Sequence, residues 1–428
     1  MKNFNKNVVI IGGGLAGLSA AHELLKKENS NINVTIIEAL DRVGGRVFTP
    51  IIEGTPVDVG GFMIFPFFRE LRSLLKEFGL EKNLRPINDK EFYRFSEGNW
   101  ISDKSISILK IVPVKLLFKI LKIILTGKIS YYEPNLNLFS GFSTYDLLIS
   151  SGVKEDSIEI YETLIRAYTY PSLKEMPASL FIPVGLKLLL HGMFKRCKFI
   201  SGGTDLLVKS LAEAIKNKGG EIIVSSPVKE IKKGSIILDD NSLIDFDDLI
   251  VTSQLPNGLV KYEKAKENTS NSCTRYDFIV AKLSSPARLG YEKEWFVGYQ
   301  SPNKENFNKA HFTTFAQMSS FTSLSNEYIG GLLMWPDGEN PSSIESVETM
   351  SKKMIEEAFI SNSVVKICYI HRWKLTMPKV SVEAIEWFRK IQGENNIWLA
   401  GDYLVFPSMD AAIYTGKKAA RNIIKKYS

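Results

Sequence analysis

Gly12, Gly14 and Gly17 stand in G-x-G-x-x-G spacing, and an acid, Glu38, closes the next apolar run. Glycines so spaced allow a tight turn, bring backbone N–H groups up to a pyrophosphate, and let a helix pack closely on a strand. Glu38 is placed to accept hydrogen bonds from ribose hydroxyls. Its charge disfavours a 2′-phosphate, so NADP fits poorly. The chemistry on offer is dinucleotide binding, with redox work done by the bound cofactor.

These residues need a strand, a turn, a helix and a second strand to hold them. Residues 8–11, Val-Val-Ile-Ile, form a continuous apolar run that suits a strand buried on both faces of a parallel sheet. Leu18, Ala21, Leu24 and Leu25 then recur at helical spacing. The start of that helix offers free N–H groups and a positive dipole end to phosphates. Residues 34–38, VTIIE, read as the second strand, with Glu38 at its tip. Close behind lies RVGGR, residues 42–46, whose two glycines let backbone N–H groups reach a phosphate or a flavin while an arginine adds charge.

At RVGGR the chain resembles the flavoprotein family that includes amine oxidases, protoporphyrinogen oxidases and carotene desaturases. The resemblance implies FAD rather than NAD, with Gly44 and Gly45 close to the cofactor and Arg46 beside it. VDVGG, residues 57–61, looks like the family's next cofactor-side segment, and IWLAGDY, residues 397–403, like its second cofactor motif. Asp402 there can accept a hydrogen bond from a ribityl hydroxyl, or serve as a plain turn or cap residue. A helix beginning near Met409 would aim its N–H groups at the flavin pyrimidine, where reduced flavin carries negative charge. The cofactor residues implied are Gly12, Gly14, Ala16, Gly17, Glu38, Ala39, Gly44, Gly45, Arg46, Gly60, Gly61, Phe62, Met63, Val228, Gly401, Asp402, Met409 and Ala412. Val228 is equally readable as an ordinary strand valine.

The wording of residues 407–420, PSMDAAIYTGKKAA, looks like the pattern of plant-type phytoene and ζ-carotene desaturases. Amine oxidases usually carry an aromatic two residues before the acid and a lysine facing flavin N5. Here those positions are Ser408 and, on a loose alignment, Phe278. No catalytic residue is identified outright. Arg372, Trp373 and Tyr403 are the candidates, with His311 and His371 as candidate bases, and Arg166 and Tyr168 as residues that would line the substrate domain or serve the fold alone.

The expected fold is α/β: a Rossmann-like FAD-binding domain, with a parallel sheet and a β-ribbon, and a discontinuous α+β substrate domain. Residues 1–85, 200–255 and 386–428 are assigned to the first, and 86–199 and 256–385 to the second. Leu206, Leu207, Leu211 and Ile215 predict an amphipathic helix, and residues 221–225 a strand. At 428 residues the chain has room for two domains.

Residues 106–128 form a greasy, basic stretch, with no acid between Lys104 and Lys128 and with Lys115, Lys119 and Lys122 on one side at helical spacing. A spanning helix would bury lysines at about 2.5–3.5 kcal/mol each. Two readings remain: a core helix with its lysines in water, or a helix lying in the membrane interface. Residues 180–198 repeat the apolar-plus-basic character. The resemblance implies a monotopic protein drawing a lipophilic substrate from the bilayer.

Net charge is +7, but the basic residues match no nucleic-acid motif, so no nucleic-acid partner is expected. Cys197, Cys273 and Cys368 make no metal spacing or disulfide framework, and His22, His191, His311 and His371 do not pair at ligand spacing. No metal is expected. No apolar leader precedes the first strand, so a cytoplasmic location is expected, with monotopic membrane association as the alternative that residues 106–128 and the resemblance leave open. The implied function is hydride removal from a lipophilic, isoprenoid or polyene substrate by a desaturase, dehydrogenase or isomerase. The alternatives are an oxidase of an amine or tetrapyrrole, and a non-catalytic flavoprotein.

Overall fold

The computed structural model describes residues 6–26, 31–87, 93–96, 99–102, 118, 130–166, 171–190, 197–253, 273–286, 296–298, 310–320, 322–335, 343–359, 364–373, 376–379 and 381–428. Lys6–Ile11 is the central strand of a five-stranded parallel sheet. Ile32–Ile37 and then Glu221–Ile223 lie to one side, and Asp248–Val251 and then Ile397–Leu399 to the other. Val8 sits opposite Val34 and Asp248, and Ile10 opposite Ile36 and Ile250.

Both faces of this sheet are covered, which explains the unbroken apolar run in the first strand. Val8 and Ile10 point into a core shared with the first helix, Leu15–Leu24, the Asp205–Asn217 helix and the C-terminal helix, Met409–Tyr427. Val9 and Ile11 point the other way, towards Ile236, Leu238 and Phe246, and towards Ala384 and Phe388 of the Val382–Lys390 helix. Ile236 and Leu238 belong to an antiparallel ribbon, Val228–Lys232, Ser235–Leu238 and Leu243–Asp245, which feeds the chain into Asp248–Val251.

A second, antiparallel sheet runs in the order Phe296–Gly298, His311–Gln317, Tyr328–Trp335, Arg275–Leu283 and Val365–Trp373. Alternation divides its faces. Ile279, Ala281 and Leu333 pack on the Ile344–Phe359 helix. Phe278, Val280, Leu332 and Trp373 turn to Val57 and Val59, beside the cofactor motifs.

Residues 180–198 repeat the apolar-plus-basic character for which a core helix and an interfacial helix are both open, and over Ala178–Leu190 the core reading applies: Leu180, Ile182, Val184 and Leu186 lie in the main core. A helix apolar on nearly every side is a buried helix, and this one lies over Leu147 and Leu148 of the Thr144–Ser150 helix. Of residues 106–128 only Phe118 is described, so their expected docking role lies outside the described residues. Among the described residues no helix is long and apolar enough to cross a membrane.

Candidate functional site

The glycine turn is shaped by close approach. Gly12 has φ +103°, and a β-carbon there would stand 2.5 Å from the Thr252 hydroxyl. A β-carbon on Gly17 would stand 2.0 Å from the Gly12 carbonyl oxygen, so the first helix can lie this close to the turn only with glycine. That helix starts at Leu15 after Gly14, with no side-chain cap and no acid in its first turn. Among the described residues no side chain claims its leading N–H groups, and its dipole favours an anion there.

Glu38 lies buried at the end of the Ile32–Ile37 strand. One carboxylate oxygen accepts from Gly13 N at 2.6 Å and the other from Leu40 N at 2.9 Å. Ala39 follows it, and Ser226 N donates to the Glu38 carbonyl at 2.9 Å, which brings Val228 to the same corner.

RVGGR packs backbone on backbone against this turn. Gly44 N donates to Gly13 O at 2.8 Å, and a β-carbon on Gly45 would come within 3.2 Å of Gly14 Cα. Arg42 holds the loop's shape by donating to the carbonyls of Val43, Gly45 and Val47 at 3.4, 3.1 and 3.3 Å. Its guanidinium carbon lies 4.0 Å from the Phe48 ring centre.

Arg46 joins the two ends of the chain. It donates to Asp402 at 2.5 Å and to the Thr376 carbonyl at 2.7 Å. Its own carbonyl accepts from Gly61 N at 3.0 Å, and a β-carbon on Gly60 would fall 2.1 Å from that same oxygen. Trp373 donates to Val59 O at 2.8 Å, and the Met409 side chain covers Gly61. Phe62 and Met63 continue from this point against Ile87 and Cys197.

The C-terminal motif closes the site. Gly401, at φ +151°, donates to the Thr415 hydroxyl at 2.9 Å, and Asp402 behind it is buried. Ser408 caps the C-terminal helix by accepting from Ala411 N at 3.0 Å. Ala412 is buried one turn in. A β-carbon on Gly416 would meet Ala16 O at 2.1 Å, so the first and last helices cross with backbone almost touching.

The catalytic candidates separate. Trp373 joins Gly60 and Val59 at the site. Arg372 does not: it grips the buried Asp277 through two bonds of 3.0 Å, and Trp335 Nε1 donates to the same carboxylate at 3.1 Å. Tyr403 does not either. Its ring packs on Phe388, its hydroxyl reaches Val251 O at 3.5 Å, and burial pushes its ionisation well up. His371 lies between the Phe48 and Trp373 rings, held down to about 4 by burial and then by the nearby Arg42 charge. His311 is buried in its strand, Phe278 pairs with Leu332 and His371, and Tyr168 is outside the described residues.

Three participants are absent from the motif reading. Asp58 accepts from the hydroxyls of Thr49 and Thr204 at 2.5 and 3.2 Å and from Thr204 N at 2.9 Å, and burial pushes it up to about 6. Its signal was the VDVGG segment that contains it, although the acid itself is not among the cofactor residues implied. Tyr131 meets Ser408 at 2.6 Å and Tyr132 meets Asp410 at 2.8 Å, for which the tyrosine doublet alone was a sign.

Unclaimed helix N–H groups, a glycine-lined cradle and a buried acid at the ribose position fit a dinucleotide. The fold and site define a Rossmann-type dinucleotide-binding protein with a second sheet laid over the cofactor motifs. The family model for flavin containing amine oxidoreductase matches residues 15–261. The chain belongs to that family, and FAD is its cofactor.

It is 44% identical over 85 residues to amine oxidase [flavin-containing] A of Canis lupus familiaris, covering 20% of this chain and 16% of that one. It is 32% identical over 235 residues to an L-amino-acid oxidase of Sistrurus catenatus edwardsii, covering 50% of this chain and 42% of the relative. The matches thus span less than half the length of these curated relatives. Among solved structures, a CLA-producing fatty acid isomerase from P. acnes superposes with a TM-score of 0.76 at 16% identity, covering 98% of both chains. At that identity the likeness is one of fold.

Proposed function

We propose that the chain is an FAD-dependent oxidoreductase that takes a hydride from an uncharged, lipophilic substrate, of the isoprenoid or polyene kind. The reaction would be a desaturation, dehydrogenation or isomerisation. The observation that carries this reading is the neutral face that the second sheet turns to the cofactor motifs. Tyr276, Phe278, Leu332 and Met334 share that face, with Thr314 beside Leu332 and with Trp373 and a neutral His371 on the neighbouring strand. Asp277 points to the opposite face and is tied to Arg372. Two cations border the face: Arg166 donates to Met334 Sδ at 3.1 Å and pairs with Glu162 at 2.6 Å, and Arg42 acts on His371 from beside the Phe48 ring.

FAD, when bound, supplies the hydride acceptor. The chain's own residues would do the rest. The first helix would hold the phosphates and Glu38 the ribose, and Arg46, by its bond to Asp402, would fix that carboxylate for the ribityl chain. Trp373 and Phe278 would bound the substrate and exclude water. A substrate ammonium group entering this face would lose its water beside Arg42 and Arg166 and find the Glu162 carboxylate already paired with Arg166, which disfavours it. The pattern of residues 407–420 supports the desaturase branch.

Amine oxidation is the competing reading, supported by the 44% identity to an amine oxidase over 85 residues. Residues 106–128, leucine-rich with lysines on one side, support docking at a membrane surface as the route of substrate entry. The test is anaerobic bleaching of the oxidised flavin. Holo-protein is mixed with phytoene-like polyenes or squalene in liposomes, and separately with a panel of amines. Bleaching by the liposomal isoprenoids alone supports the proposal. Bleaching by amines alone overturns it. Co-flotation of the protein with the same liposomes tests the docking.

A further inference from the structure

A buried carboxylate joins two helix N-termini beside the second cofactor motif. Asp410 is the second residue of the C-terminal helix and has 0% exposure. One of its oxygens accepts from Leu71 N at 2.8 Å, in the first turn of the Arg69–Glu77 helix. The other accepts from the Tyr132 hydroxyl at 2.8 Å. Both helix ends thus converge on a single acid.

The groups around it are accounted for. From the Arg69–Glu77 helix come Arg69, which lies over the Tyr132 ring at 5.3 Å, and Glu70, which pairs with Lys417 of the C-terminal helix at 2.8 Å. Tyr414 stacks on Tyr132 with ring centres 4.5 Å apart and donates to Glu133 at 2.6 Å. Among the described residues no cation pairs with Asp410. Burial pushes the carboxyl up to about 6, with the Glu70 charge adding to it and the Leu71 N–H, the Tyr132 hydroxyl and the Glu70 N–H opposing it.

We infer that Asp410 tunes the reduction potential of bound FAD by taking up a proton when the cofactor is reduced. This rests on the reading of the helix start at Met409 as the end that faces the flavin pyrimidine. An ionised carboxylate in the first turn opposes the dipole that favours added negative charge there. Reduction by two electrons adds such charge, and two anions in a dry site raise each other's proton affinity. The balance is simple: the reductant gives two electrons, the flavin takes them with its own proton, and one further solvent proton goes to Asp410. Asp410 is therefore a positioning residue acting through charge, with no contact to substrate.

The test is a redox titration of holo-protein with dithionite, followed by flavin absorbance from about pH 5 to about pH 8. Wild type, Asp410→Asn and Tyr132→Phe are compared. Wild type should show one extra proton per two electrons above the carboxyl's titration point, worth about 30 mV per pH unit for a two-electron couple. Asp410→Asn should lose that extra slope. It should match wild type in acid and be reduced roughly tenfold more favourably at the alkaline end, about 30 mV. Tyr132→Phe keeps the ring, removes one donor to the carboxylate, and should move the break to higher pH. A purely structural role would lower the melting temperature of either variant and leave the slopes parallel. Identical pH profiles in all three proteins overturn the inference alone. A purified wild-type chain that retains no FAD overturns it together with the functional reading.

Discussion

Replacing Arg372 by alanine separates a structural role from a catalytic one. Asp277 has 0% exposure, and its carboxylate receives three donors: two from Arg372 at 3.0 Å and Trp335 Nε1 at 3.1 Å. Without the arginine, the buried charge keeps one donor among the described residues, the Trp335 indole N–H. Breaking such a pair from one side costs about 3–5 kcal/mol. The Arg372 side chain is itself 23% exposed, so water can reach part of the vacated space, and the lower end of that range applies, about 3 kcal/mol. Asp277→Asn leaves a neutral amide facing a partly solvated guanidinium and should cost less, about 1–3 kcal/mol. The double variant Arg372→Met with Asp277→Leu should be more stable than the sum of the two single losses implies, because the pair is lost together. Denaturant midpoints of the holo-protein measure all of this. Bound-flavin absorbance and the bleaching assay would show whether the site survives. An Arg372→Ala protein with the wild-type midpoint and lost activity would refute the reasoning and return Arg372 to the chemistry.

Three further outcomes are expected. Gly416→Ala should push the first and last helices apart, since its β-carbon would lie 2.1 Å from Ala16 O; a loss of about 1–3 kcal/mol in thermal unfolding, with weaker FAD retention, is expected. Glu38→Ala removes the buried acceptor of Gly13 N and the ribose partner; FAD affinity by fluorescence titration should fall roughly tenfold to a hundredfold, the worth of a charged hydrogen bond. Asp58 is raised from 3.8 to about 6, so the folded state prefers its neutral form. The resulting penalty is absent in acid, grows as pH rises from 3.8 to about 6, and amounts to about 3 kcal/mol above that. Asp58→Asn should therefore gain on wild type over this window in denaturant midpoints, and a constant difference across pH would count against it.

The parts legible in the sequence were those fixed by local backbone demands. Gly12, Gly17 and Gly60 sit where a side chain would strike neighbouring atoms, so their spacing announced the turn. The two-sided burial of residues 8–11 follows from the same run that marked them as a parallel strand. What stayed hidden depends on partners far along the chain. Arg372 and Tyr403 look like site residues beside their motifs, but alternation turns Arg372 towards Asp277 and the Gly401 turn sends Tyr403 onto Phe388. The apolar run at 180–186 reads the same whether its neighbour is lipid or protein; only the packing against Leu147 and Leu148 decides. Tyr131 and Tyr132 find Ser408 and Asp410 across 277 and 278 residues, a pairing that no local pattern encodes.

The parallel sheet has a consequence for the order of synthesis. Its central strands come from residues 6–37, but the strand that seals one edge, Ile397–Leu399, emerges long after its neighbour Asp248–Val251. Until then Asp248–Val251, buried at all four positions in the finished fold, presents an open apolar edge of unpaired backbone groups. The Arg46 contact to Asp402 spans 356 residues and must also wait. A nascent chain is therefore held short of its cofactor-binding state until residues 397–402 have emerged, and exposed to edge-to-edge association during that time. Translation rate and chaperone supply, more than the final contacts, would then govern how much holo-protein a cell recovers.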